Sequence, residues 1–229
     1  MNTKNKIKYF SRGELLLWLS SLLLILLSFL LFDRGNYLTL TASLIGATSL
    51  IFCAKGNPFG QVLMVAFSLF YGYISYTFAY YGEMVTYLGM TAPMAIFALI
   101  SWLKNPYNGN RAEVKVNRIH RAEIAFMLAL TAAVTAVFYF ILSPLGTANI
   151  FISTVSVTTS FIAVYLTFRR SPFFALAYAA NDVVLIIMWL LAVRENASYI
   201  SVVVCFAMFL VNDIYGFISW LKMGKRQGA

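Results

Sequence analysis

Apolar runs of about twenty residues recur along this chain with almost nothing between them, and that spacing constrains the fold more than any other feature. A bilayer core about 30 Å thick takes roughly 20 apolar residues per helical crossing. Measured against that length, the sequence divides into eight segments: 14–32 (A), 37–54 (B), 58–80 (C), 84–103 (D), 122–142 (E), 147–168 (F), 172–193 (G) and 199–221 (H). The longest connection, 104–121, has 18 residues, too few for a soluble domain. With 61% of its 229 residues hydrophobic and 11% charged, the chain does not have the composition of a water-soluble protein of this size. The expected fold is therefore all-α and polytopic, with eight transmembrane helices and the lipid bilayer as its surroundings.

The net charge of +9 could suggest nucleic acid, but the basic residues are scattered through short loops and form no folded basic surface, so no nucleic-acid partner is expected. They speak instead to topology. With the N-terminus in the cytoplasm, Lys4, Lys6, Lys8, Arg12, Lys55, Lys104, Arg111, Lys115, Arg118, Arg121, Arg169, Arg170, Lys222, Lys225 and Arg226 lie inside, leaving only Arg34 and Arg194 outside. That asymmetry predicts a plasma-membrane protein with both termini cytoplasmic. Segment A is longer than the apolar core of a signal peptide and no small-x-small site follows it, so it reads as a retained helix. Cys53 and Cys205 offer no metal or disulfide spacing; neither metal nor cofactor is expected.

Self-comparison reveals a duplication. Segment D ends "ALISWLK" and segment H ends "GFISWLK", placing Ile100 to Lys104 and Ile218 to Lys222 at an offset of 118. Segments C and G open with "NPF" at Asn57 and "SPF" at Ser171, an offset of 114. The repeats are then B-C-D and F-G-H, with E between them and A in front. Because an odd number of crossings separates B from F, the two triplets are parallel, the 3+1+3 build of SWEET-type carriers. The chain accordingly divides into an N-terminal helix (1–36), a first repeat (37–103), a loop with linker helix (104–146) and a second repeat with a basic tail (147–229), together one transport domain.

Of the eight acidic residues, Glu14, Asp33, Glu83, Glu113, Glu123 and Glu195 fall at span ends or in loops, whereas Asp182 and Asp213 fall within spans. A charge near the bilayer centre costs at least about 2.5 kcal/mol, so such residues usually face a polar cavity. Helical spacing suggests their companions. Phe174, Tyr178, Asn181, Asp182 and Leu185 share a face of G; Gln61, Met64, Ser68, Tyr71 and Ser75 form a stripe on C; Met208, Asn212, Tyr215 and Ser219 form one on H. The hydroxyl stripe Ser153, Ser156 and Ser160 on F reads more simply as helix packing. Aromatic faces with Asn and Asp suit a neutral or cationic flat ring bearing hydroxyls. No Lys or Arg within the spans is available to hold a phosphate. The expected substrate-binding set is Gln61, Ser68, Tyr71, Phe174, Tyr178, Asn181, Asp182, Asn212, Asp213 and Tyr215.

"AKGNPFGQVLMVAFSLFYGYISY", "YAANDVVLIIMWLLA", "NDIYGFISWLK" and the "KNPYNG" loop resemble the PnuC family of nicotinamide riboside transporters, particularly its Gram-positive branch. The resemblance runs from Tyr37 to Met223. It implies a SWEET-like facilitator that equilibrates nicotinamide riboside by alternating access, net uptake following from intracellular phosphorylation of the riboside. Related carriers assemble, so a homo-oligomer is compatible with the resemblance. Asn181 matches the family's helix-G asparagine, but the tryptophan pair seven and four residues before it is replaced by Phe174 and Ala177. That departure leaves another vitamin-like heteroaromatic such as thiamine as an alternative cargo, and Asp182 and Asp213 leave proton coupling as an alternative mode. An enzyme is not expected: the only histidine, His120, lies in a loop, and no HExxH, GxSxG, CxxC or phosphate loop is present.

Overall fold

The computed structural model describes residues 9–77, 81–147 and 149–228. Lys4, Lys6 and Lys8, the end of segment C at Tyr80, and Ala148 in segment F lie outside the described residues. The eight apolar segments are eight helices long enough to cross a membrane: α1 (Arg12–Phe32), α2 (Tyr37–Ala54), α3 (Phe59–Thr77), α4 (Tyr81–Lys104), α5 (Arg121–Leu142), α6 (Ile150–Phe168), α7 (Phe173–Val193) and α8 (Ile200–Gln227). They correspond to segments A to H. One feature departs from the all-α expectation: the loop after α4 folds into a small antiparallel hairpin, β1 (Pro106–Tyr107) and β2 (Asn110–Val114).

Lipid offers no hydrophobic drive to bring helices together, so small residues and hydroxyls must do it. Each helix shows the division this requires. On α1, Ser21, Ile25, Ser28 and Phe29 are buried while Leu16, Leu23, Leu27 and Leu31 are exposed to the surroundings. On α2, Ala42, Ser43, Gly46 and Ala47 face inward, and Gly46 lies so close under the Phe209 ring that a methyl there would displace it.

The two repeats are built around the same helix endings. The α2 terminus closes with Gly56 N–H to the Cys53 carbonyl (2.9 Å) and Asn57 N–H to the Phe52 carbonyl (3.0 Å). The α6 terminus closes with Arg170 N–H to Thr167 (3.0 Å) and Ser171 N–H to Leu166 (3.0 Å), the same bonds shifted by the repeat. Both are left-handed C-terminal caps, with φ of 66° at Gly56 and 57° at Arg170. Arg170 carries a side chain where glycine is favoured, and it is held there by bonds to Ser101 Oγ (2.8 Å) and the Lys115 carbonyl (3.1 Å).

The duplicated "ISWLK" sequences interlock the halves. Trp102, closing the first repeat, donates its indole N–H to the Thr167 carbonyl in the second (2.9 Å). Trp220, closing the second, donates to the Cys53 carbonyl in the first (2.8 Å). The two rings meet with centroids 5.3 Å apart, and both side chains are 0% exposed. Val114 N–H then donates to the Gly56 carbonyl and Asn117 N–H to the Arg170 carbonyl (2.9 and 3.0 Å), so the linker ties both caps to this floor.

The helices flanking the repeats are also related. Glu14 near the start of α1 pairs with Lys55 beyond α2 (2.9 Å), and Glu123 near the start of α5 pairs with Arg169 beyond α6. Accordingly α1 packs on α2 and α8, while α5 packs on α6 and touches α4. The N-terminal helix thus occupies the place in the first half that the linker helix occupies in the second.

Helix α4 is interrupted. Pro93 has no N–H for the Gly89 carbonyl, and the helix adjusts through a π turn at Tyr87–Thr91, with Ala92 N–H reaching back to the Tyr87 carbonyl. The half-helix Tyr81–Thr86 above this turn is set off from the lower part of the span.

Candidate functional site

Above the tryptophan floor lies a central cavity of about 60 Å³, with room for a few water molecules, walled by α4, α6, α7 and α8 with contributions from α2 and α3. Toward the face opposite the chain ends it adjoins a wider vestibule of about 210 Å³ between α4, the loop after α5 and the end of α7. The two share Gly82, Glu83, Ser153 and Met188. Binding pockets for compact organic ligands usually hold about 300–1,000 Å³, so this conformer is closed around its centre and more open on one face.

Asn181 is the best-fixed polar group in the cavity. Its Oδ1 accepts from Ser156 Oγ (3.3 Å), Thr159 Oγ1 (2.8 Å) and Ser160 Oγ (3.0 Å) on α6. With the oxygen committed to three hydroxyls, the amide nitrogen remains to donate to a carbonyl. The next residue, Asp182, faces Asp213 on α8, carboxyl to carboxyl within hydrogen-bonding reach. One turn below, Tyr178 lines the cavity and bonds Thr167. Tyr87 from the π turn lines it on the opposite side, its ring 4.8 Å from that of Tyr71.

Four of the ten residues expected at a binding site, Tyr178, Asn181, Asp182 and Asp213, line this cavity. The others sit elsewhere, each for a definable reason. Asn212 precedes Asp213 by about 100° of helix rotation, and its Nδ2 donates to Ser21 on α1 (2.8 Å) and to the Met208 carbonyl (2.8 Å). Tyr215, on the same face as Asn212, donates to Glu14 of α1 (2.9 Å). The H stripe is therefore the surface that receives α1. Gln61 turns to Cys53 Sγ (3.3 Å), and Ser68 bonds its own helix at the Met64 carbonyl (2.8 Å). Tyr71 packs among Phe67, Tyr87 and Phe206 beside the cavity wall. Phe174 belongs to the floor, edge-on to Trp220 with ring centres 4.9 Å apart.

Conversely, Ser156 and Ser160, read from sequence as packing residues, line the cavity and hold Asn181. Glu83, read as a span-end residue, does sit in the first turn of α4, yet it lines both cavity and vestibule. Among the described residues no group of three or more His, Cys, Asp or Glu could hold a metal ion.

Eight spans around a small, mainly apolar chamber into which an amide and several carboxyls are set point to a polytopic membrane transporter. A profile described as nicotinamide mononucleotide transporter matches residues 36–222, and the chain belongs to that family. It is 28% identical over 217 residues to the nicotinamide riboside transporter PnuC of Neisseria mucosa, spanning 93% of this chain and 82% of the relative. A solved structure described as the crystal structure of the vitamin B3 transporter PnuC superposes with a TM-score of 0.83 at 25% identity, covering 95% of this chain and 94% of that one. These relatives are transporters, not enzymes.

Proposed function

We propose that this protein carries nicotinamide riboside across the plasma membrane as a facilitator, by alternating access, with the chain ends in the cytoplasm and the vestibule facing outward. The observation that carries the reading is the chemistry of the central cavity: Asp182, Asp213 and Asn181 with two tyrosines, and no Lys, Arg or His among its described lining residues. The riboside has a positively charged pyridinium ring, a carboxamide and ribose hydroxyls. The carboxyls complement the ring charge, Tyr178 and Tyr87 offer aromatic faces, and the Asn181 amide nitrogen complements the carboxamide oxygen. A mononucleotide would bring a phosphate into the same space with no cation to receive it, which favours the riboside over its phosphate. Phosphorylation of the delivered riboside inside the cell would make the flux one-way.

Proteoliposomes holding the purified protein should equilibrate labelled riboside without an ion gradient, and Asn181→Leu should abolish this while still inserting. Persistent uptake in that variant would remove α7 from the site. The contact between Asp182 and Asp213 favours a second mode, in which the pair takes up and releases a proton during the cycle. Accumulation above equilibrium under an imposed pH gradient, lost in Asp182→Asn, would decide for it. Thiamine is the competing cargo, suggested by Phe174 and Ala177 standing at the family's tryptophan positions, although both lie in or against the floor and neither lines the cavity. Competition between riboside and thiamine for the purified protein, followed by tryptophan fluorescence, separates the two.

A further inference from the structure

Three cavities meet at one side chain. Glu83 lines the central cavity, the vestibule and a third pocket of about 60 Å³ that reaches Asp33 and Ser75 beneath the outer loops. It is the residue common to all three. Ser75 bonds its carboxyl on one side, while among the described residues no donor reaches Oε2 although that atom is buried. Asp182, in the cavity below, is 4% exposed, and its Oδ2 likewise receives no donor from the described residues. Among the described residues, the walls of the three spaces carry five acidic side chains, Asp33, Glu83, Asp182, Glu195 and Asp213, and no Lys, Arg or His.

Buried carboxyl oxygens without donors are costly, and the cost is relieved when a ligand supplies positive charge or N–H and O–H groups. Glu83 is also placed to move. It rides on the half-helix Tyr81–Thr86, joined to the rest of α4 by the π turn, and such turns concentrate at functional sites. The second repeat has no counterpart: the offset of 118 brings Glu83 to Ser201, which donates to the Ser198 carbonyl (2.8 Å) at the start of an unbroken α8. The carboxyl is thus a departure from the duplicated plan, placed where the inlet narrows into the cavity.

We propose that Glu83 is the residue that reads cargo charge, receiving the cationic ring at the vestibule and passing it down to Asp182 and Asp213. The inference rests on the riboside reading and names the group that sets its selectivity for a cation. The probes are nicotinamide riboside and its dihydro form, which keeps the ribose and carboxamide but has a neutral ring. Binding of each to the purified full chain would be measured for wild type, Glu83→Gln and Glu83→Asp.

Wild type should prefer the cation by about tenfold or more, as expected for a partly desolvated opposite charge. Glu83→Gln should bring the two affinities close together by weakening the cation alone, and Glu83→Asp should keep the preference. An unchanged preference in Glu83→Gln would overturn the inference while leaving the riboside reading intact. A wild type that binds neither probe would sink both. If Glu83→Gln does not insert, Ser75→Ala takes its place, because releasing the carboxyl from its hydroxyl must alter the same ratio; no change there would also count against Glu83.

Discussion

The chain-end floor and the opposite half of the bundle are built on opposite principles. At the floor the repeats are nearly identical: two tryptophans exchange indole bonds with two helix termini, and two matching left-handed caps are tied by one linker. On the other side symmetry fails. Helix α4 breaks at Tyr87–Thr91 and carries Glu83, whereas α8 runs unbroken and presents Asp213 to the cavity. Duplication is kept where the halves hold each other, and divergence is concentrated around the cavity. In the proposed cycle, opening toward the cytoplasm must strain the floor, whereas opening outward needs only the half-helix above the π turn to shift.

The sharpest way to break this contrast is at the tryptophans. Trp102→Ala or Trp220→Ala should each destabilise by about 3–5 kcal/mol, since each empties a buried ring site and removes an indole bond between the halves. The double substitution should cost less than the sum, because the rings touch; thermal unfolding in detergent measures both. Asn181→Leu should weaken riboside binding by about 2–3 kcal/mol, read by fluorescence titration, and lower stability by about 1–3 kcal/mol, because Ser156, Thr159 and Ser160 lose their shared acceptor.

The flanking ion pairs offer a subtler comparison. Glu14 serves Lys55, Tyr215 and the Ser11 N–H at once, with side-chain exposures of 21% for Lys55 and 8% for Glu14. Glu14→Gln should therefore cost about 1–3 kcal/mol. Glu123→Gln, whose partner Arg169 is 39% exposed, should cost about 0–1 kcal/mol in the same melts. The smallest effect belongs to Asp33, outside the spans. Burial raises its carboxyl above the ordinary 3.8, with bonds from Asn36 and Ser201 opposing. Its contribution to stability is thus present below that value and lost as pH rises through the raised one. Asp33→Asn should remove that loss, flattening the fall of melting temperature as pH rises above about 4.

Much of this architecture is legible in the sequence because it follows from length and repetition. Twenty-residue apolar runs give the helices, and "ISWLK" written twice gives the duplication. The cavity residues on α7 are legible as well, since Tyr178, Asn181 and Asp182 share a face and lipid would not tolerate it. What was hidden depends on which helix lies against which. The stripe through Asn212 and Tyr215 is as polar as that on α7, yet it receives Ser21 and Glu14 of α1. Periodicity identifies a face without naming its neighbour. Ser156 and Ser160 were hidden for the complementary reason: hydroxyls that bond their own backbone elsewhere here hold an asparagine, and nothing local distinguishes the two uses.

The exchanged tryptophans also say something about ancestry. Each half places its indole against a carbonyl that the other half provides, so neither is complete by itself. A half-length chain with this ending could make the same exchange by pairing with a second copy across a two-fold axis. The present molecule has the form of such a dimer joined through α5, and joining lets one half carry a broken helix and a glutamate that a strictly symmetric pair would have to carry twice.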